Sequence, residues 1–202
     1  MVTIVDYKVG NLGSIQNMLK KIGSKSIITS DPKTIGEAEK LILPGVGSFD
    51  SGINSLKKYD LWDVLNEKVL NEKIPVLGIC LGMQLLCNAS EEGKEKGLGW
   101  IDADVLRFRP KDKKVKIPHI GWNYTQVSQE SRLFKAMYTE PKFYFVHSYY
   151  VRANDKSSVA KSTYEISFDA VVEKGNVLGT QFHPEKSHKF GMRLLENFIQ
   201  NY

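Results

Sequence analysis

Cysteine is scarce in this chain. Two of its 202 residues are cysteine, Cys80 and Cys87, seven apart with no second pair after them. That count leaves no disulfide framework, and the spacing is not that of a zinc site. A reducing, cytoplasmic setting is the expectation. Long apolar runs are missing too: no stretch approaches the ~20 residues that a membrane-spanning helix needs, so no membrane association is expected. Met1 to Asp6 carries no basic leader and meets an acid early, so no signal sequence is expected. There is no internal repeat and no long linker, and the length suits one domain, 1–202, with a full core. The net charge of +5 is spread, apart from Arg107 to Lys116. A basic stretch of this kind reads as a solvated hairpin, and no nucleic-acid partner is expected.

What is present centres on Pro75-Val76-Leu77-Gly78-Ile79-Cys80-Leu81-Gly82-Met83-Gln84-Leu85-Leu86. A short apolar run bounded by Pro and Gly predicts a buried strand, and the residues after Cys80 predict a helix. A strand turning sharply into a helix is a common way to present a nucleophile, and Gly-x-Ser-x-Gly is the serine form of it. Here the form is Gly-x-Cys-x-Gly. The glycines leave room for the turn and for a substrate, and the free N–H groups of the helix start favour a thiolate. A buried structural cysteine is the other reading open at this point.

The chain before that turn alternates strand and helix. Residues 2–6, Ser26 to Thr29 and Leu41 to Leu43 read as strands. A helix with Ile15, Met18, Leu19 and Ile22 on one face ends at Gly23, Asp31-Pro32 opens a turn, and 53–71 reads as helical. Gly10-Asn11-Leu12-Gly13 lacks the three-glycine spacing of a dinucleotide site, and no phosphate-binding loop is convincing, so neither cofactor nor metal is expected. After Glu91 the helical period disappears. Short β-rich runs at 100–109, 115–120, 143–151 and 158–182 read as strands and hairpins completing the sheet, before a last helix from about Phe190 to Ile199. The pattern predicts an α/β fold: a mainly parallel central sheet flanked by helices, with an antiparallel β-rich C-terminal half. Ligands of such sheets sit beyond the carboxyl ends of the strands. Cys80 and the Pro44-Gly45-Val46-Gly47 loop both fall there, and the loop is either a simple turn or a source of backbone N–H groups.

A cysteine nucleophile needs a base and a group to orient it. His183 closes the run from Val177 to Phe182, and Pro184 biases it to an extended backbone. In extended chain Glu185 lies on the same side as His183 and can accept its ring N–H. A surface His-Pro-Glu turn is the alternative. His119 and His147, among aromatic residues, read as satisfied structural histidines beside a pocket or interface.

Gly78 to Gln84, with Pro44-Gly45-Val46-Gly47 and Phe182-His183-Pro184-Glu185-Lys186-Ser187, resembles the class I (triad) glutamine amidotransferases. Asp6-Tyr7, Gly10-Asn11-Leu12, Pro118 to Asn123 and Tyr144 to Tyr149 resemble, more narrowly, the glutaminase (HisH) subunits of imidazole glycerol phosphate synthase. The similarity runs from Val2 to about Phe198. It implies a flavodoxin-like fold and a Cys80–His183–Glu185 triad that hydrolyses glutamine to glutamate and ammonia through a thioester. It also implies oxyanion donors from the backbone of Val46 and Leu81, and glutamine held by Gly47, Gln84, His147, Ser148 and Tyr149. The Val46 peptide of that subfamily is implied to reorient before it serves. The ammonia would be channelled to a HisF-like (β/α)8-barrel synthase subunit in a heterodimer, met by Asn11, Trp122, Asn123, Tyr144 and Lys186. That partner would form imidazole glycerol phosphate and AICAR in histidine biosynthesis. Ser187 to Gly191 is closer to HisH paralogues that supply ammonia for amidation of a nucleotide-linked sugar in surface-polysaccharide biosynthesis. A non-catalytic regulatory subunit would need a damaged triad, and all three members are present.

Overall fold

The computed structural model describes residues 1–202. Its first half runs β1 (Val2–Val5), α1 (Leu12–Lys21), β2 (Ser26–Thr29), α2 (Pro32–Gly36), β3 (Leu41–Gly45), α3 (Phe49–Lys58), α4 (Leu61–Asn66), β4 (Val76–Cys80) and α5 (Leu81–Leu85). The second half runs β5 (Ala89–Ser90), β6 (Ala103–Arg107), β7 (His119–Tyr124), β8 (Gln126–Val127), β9 (Lys142–His147), β10 (Tyr149–Ala153), β11 (Ser158–Tyr164), β12 (Ile166–Lys174), β13 (Val177–Thr180) and α6 (His188–Asn201).

Strands β2, β1, β3, β4 and β13 lie side by side and parallel, and β12, β10 and β6 extend the sheet antiparallel. Both faces are covered. One carries a core of 26 buried hydrophobic residues and the other 24, which is why the central strands are apolar without alternation. Strand β3 ends in Pro44-Gly45, and Pro44 is tolerated because β1 has already ended there. The β1–β3 register covers only Leu41 and Ile42, so no ladder on that side needs the missing N–H.

Several local expectations change. Asp31 does not merely open a turn: its carboxylate accepts from the N–H groups of Lys33 and Thr34 and caps α2. The helix expected over 53–71 starts at Phe49 and is broken at Asp60, where φ is +56°. The break lets Ile53 and Leu56 on one side, and Leu61 and Leu65 on the other, reach the same core. A π-helical turn, Glu67–Asn71, follows α4. Arg107 to Lys116 is not a hairpin. It leaves β6 as a loop whose Lys111 and Asp112 N–H groups donate to Glu165, while Arg109 pairs with Glu91 at 2.8 Å. The strand expected over 115–120 begins only at His119, and β7 does not complete the main sheet. It pairs with β9 alone, as a separate antiparallel ribbon over the carboxyl end of the parallel strands.

Candidate active site

Cys80 is the last residue of β4 and the residue before α5. Its φ of 55° and ψ of −109° are strained for a residue with a Cβ. The two flanking glycines make the turn possible. A Cβ on Gly78 would stand 2.8 Å from backbone atoms of Gly82, and one on Gly82 would run into the carbonyl oxygen of Leu43. The glycines therefore let α5 fold straight back onto β4 and β3. The parallel register sets Gly45 opposite Cys80, so the 44–47 loop lies beside the sulfur. A side chain on Gly45 would collide with the hydroxyl of Tyr7, which is buried there without a hydrogen-bond partner. Burial first, and then the charge of Cys80, pushes the Tyr7 phenol up.

His183 comes to the same rim from β13, the neighbour of β4 on its other side. Its N–H donates to the carbonyl of Tyr144 at 2.9 Å, and its own carbonyl accepts from the Ser187 hydroxyl at 2.6 Å. Ser187 also accepts from the N–H of Tyr144, so one buried serine fastens this turn to β9. The ring Nδ1 of His183 lies 2.8 Å from Oε1 of Glu185. His183 is itself extended, as Pro184 predicts, but the two side chains meet across a 3-10 turn, Pro184–Lys186, rather than along a continuous extended chain. The other ring nitrogen is buried and unpartnered. The Cys80 sulfur is near enough to act on it, yet the contact falls short of an aligned hydrogen bond. Such pairs often tighten only when substrate arrives. Burial is the largest single influence on His183 and pulls its pKa down. The hydrogen bonding and charge of Cys80 and Glu185 together outweigh it and hold the imidazole up at about 10.

A cavity of about 310 Å³ opens at Cys80, walled by Val46, Gly47, Leu81 and Gln84 on one side and by Val146 to Tyr149 on the other. Gln84 is buried, and its Nε2 donates to the carbonyl of Tyr149 and to Oε1 of Gln181, both at 3.2 Å. His147 is a wall residue through its backbone. Its ring turns away, with Nδ1 2.8 Å from the Tyr149 carbonyl and Nε2 3.0 Å from Nδ1 of His119. Burial, the main influence on both, lowers His147 to about 3 and His119 to about 4. A larger cleft, about 500 Å³, lies at the amino ends of the parallel strands around Val2, Lys25 and Lys40, away from this chemistry.

A narrow cleft on the other side of His183 is lined by Asn11, Pro44, Val46, Glu185 and Lys186. Lys186 reaches over the Tyr144 ring, Tyr144 meets exposed Trp122 edge-on, and Trp122 stacks on His188. Asn123 faces the other way. Its amide donates to the carbonyl of Thr163 and approaches Nε2 of His119, because alternate residues of β7 point to opposite faces. Sequence reasoning missed three residues. Glu92 alone brings a carboxylate to the cavity wall, while also accepting from the Phe49 N–H at 2.8 Å. Gln181, just before the Phe182 to Ser187 motif, and Ser187, its last residue, are fully buried polar groups to which the sequence assigned no role of their own. Their position beside Phe182-His183 was the available signal.

The family model "Glutamine amidotransferase class-I" matches residues 3–201. The chain is 56% identical over 201 residues to "Imidazole glycerol phosphate synthase subunit HisH 2" of Methanococcus maripaludis, covering 99% of each. It is 48% identical over 201 residues to the protein of the same name from Pseudomonas aeruginosa, again 99% of each. A solved structure described as "Crystal structure of glutamine amidotransferase" superposes with a TM-score of 0.74 at 19% identity, over 98% of this chain and 97% of that one.

Proposed function

The chain belongs to the class I glutamine amidotransferase family, and on that premise we propose that it is the glutaminase subunit of a two-component synthase acting in histidine biosynthesis. The observation that carries the reading is the meeting of three groups at one rim of the sheet: a strained Cys80, His183 and Glu185, beside a cavity of about 310 Å³.

Glutamine enters with its carboxamide at Cys80. The carboxylate of Glu92 suits the α-ammonium group, and the free Oε1 of Gln84 offers an acceptor beside it. The backbone from Gly47 and from His147 to Tyr149 lines the remaining walls. The thiolate of Cys80 adds to the carboxamide carbon, and the negative charge moves to its oxygen. N–H groups of Leu81 and Val46 receive that charge, each donor worth ~3 kcal/mol of barrier. The C–N bond breaks as His183 passes its proton to the departing nitrogen, leaving ammonia and a γ-glutamyl thioester. Water then adds to the thioester with His183 as base. The C–S bond breaks, glutamate leaves, and the Cys80 thiolate is restored beside an imidazole that holds the proton taken from water. Glu185 keeps the ring in the tautomer and orientation that both steps need.

Ammonia released into neutral water would be protonated and lost as a nucleophile. A HisF-like barrel subunit docked over Asn11, Trp122, Tyr144 and Lys186 would receive it from the narrow cleft beside His183. We place the pair in the cytoplasm as a heterodimer, with this chain acting as one domain. A second reading concerns the acceptor only. Both relatives above are numbered as a second HisH of their organisms, which favours a duplicated system whose barrel uses another acceptor, such as a nucleotide-linked sugar.

Glutamate release, measured with the co-expressed barrel subunit and its ligand, tests the activity, and Cys80→Ala should abolish it. Activity that survives the substitution would end the assignment. Growth of a histidine auxotroph lacking its own glutaminase subunit, with the native barrel supplied, separates the two acceptors.

A further inference from the structure

We propose that Gln181 is a positioning residue whose amide ties the glutamine-facing Gln84 to the sulfur of Cys80. The proposal deepens the glutaminase reading above and rests on it for the identity of the substrate.

The geometry starts from a carbonyl. The main-chain oxygen of Tyr149 is only an acceptor, so the Gln84 atom 3.2 Å from it is the amide nitrogen. That nitrogen also faces the side-chain amide of Gln181 at 3.2 Å, so the Gln181 atom there is the oxygen. The remaining end of Gln181 is then the NH2 group, and it points at the Cys80 sulfur at 3.9 Å. Both amides are thereby oriented by one carbonyl, with no freedom to flip. The Tyr149 carbonyl is itself held from the far side by Nδ1–H of His147, whose Nε2 accepts from His119. A continuous run of donors and acceptors therefore joins the β7–β9 ribbon to the nucleophile.

Gln181 is wholly buried, and its main-chain N–H donates to Ala170 in β12. Its backbone cannot shift without breaking the sheet, so the side chain is a rigid strut. The strut leaves Oε1 of Gln84 free beside the cavity, and it gives the sulfur a donor in addition to His183. N–H donors favour a thiolate over a thiol.

The test reads Cys80 alkylation by iodoacetamide across pH, scored on the Cys80 peptide so that buried Cys87 does not contribute. The titratable groups that face the sulfur are His183, backed by Glu185, together with Tyr7, and none of these is altered. In Gln181→Glu one NH2 becomes oxygen. The contact with Gln84 survives, and a carboxylate replaces the donor at the sulfur. Alkylation at pH 7 should slow about tenfold, with its pH midpoint displaced upward by about one unit. Gln181→Met removes both contacts: a smaller upward displacement is expected, together with a raised KM for glutamine in the assembled synthase. A folded Gln181→Met protein with the wild-type alkylation profile would overturn the proposal, and Gln181→Leu, which likewise offers the sulfur no donor in any protonation state, decides the matter if Gln181→Met does not fold. Alkylation uses neither glutamine nor the barrel, so the strut and the glutaminase reading fail separately.

Discussion

Oε1 of Glu185 stands 2.8 Å from Nδ1 of His183 although the backbone between them turns in a single 3-10 step. Both side chains are almost entirely buried, so the carboxylate cannot be replaced by water. Glu185→Gln should keep the fold and lose turnover. A neutral amide no longer selects the tautomer or steadies the imidazolium, and kcat should fall about a thousandfold or more with KM little changed. Steady-state glutaminase kinetics with the proposed barrel subunit present check this.

Glu92 brings the single carboxylate of the cavity at Cys80. Glu92→Gln retains an acceptor for the Phe49 N–H and removes only the charge. The KM for glutamine should rise about 10- to 100-fold while kcat stays within a few-fold, the pattern of lost ground-state binding. An unchanged KM would remove the ammonium-binding role.

Two glycine substitutions separate collision from strain. In Gly82→Ala the new methyl meets the Leu43 carbonyl inside the strand–helix turn, and about 3 kcal/mol or more of stability should be lost. Gly175 has φ +62° and open space around it, so Gly175→Ala should cost only the left-handed penalty of about 1–2 kcal/mol. Urea unfolding of the two variants should rank them in that order.

The buried pair His119 and His147 makes the protein acid-sensitive. Burial lowers them to about 4 and about 3, whereas in the unfolded chain each titrates near the ordinary value of 6.5. Below 6.5 the unfolded state binds more protons than the native one, so stability falls as pH falls, until the native rings protonate near 4 and 3. The urea midpoint should therefore decline from pH 6.5 downward. His119→Phe, which keeps an aromatic ring between Phe145 and Tyr164, should make that decline shallower.

Parts of this molecule are legible from local chemistry. The all-apolar run Val76 to Ile79 is a central strand because only a strand covered on both faces excludes polar residues, and the β4 burial pattern is continuous. The Gly-x-Cys-x-Gly spacing marks the turn because no side chain fits on either side of Cys80. The break at Asp60 was not legible: 53–71 carries a helical period throughout, and it is the shared core beneath that demands the bend. The separation of β7 and β9 from the main sheet was hidden for the same reason, since the edge that a strand joins is chosen by distant partners.

By itself the sequence determined what depends on near neighbours: which runs are buried strands, where glycine is obligatory, and that a thiol, an imidazole and a carboxylate were available at the ends of strands. Only the tertiary structure decided which of these groups meet. Cys80 and His183 come together because β4 and β13 are adjacent parallel strands, a pairing set by register and sheet order. The tertiary structure also turned Asn123 inward and Trp122 outward on one strand, and it joined Gln84, Gln181 and Cys80 through hydrogen bonds that span about half of the chain. Contacts between residues about a hundred positions apart depend on the packing of everything between them, and no local pattern encodes that.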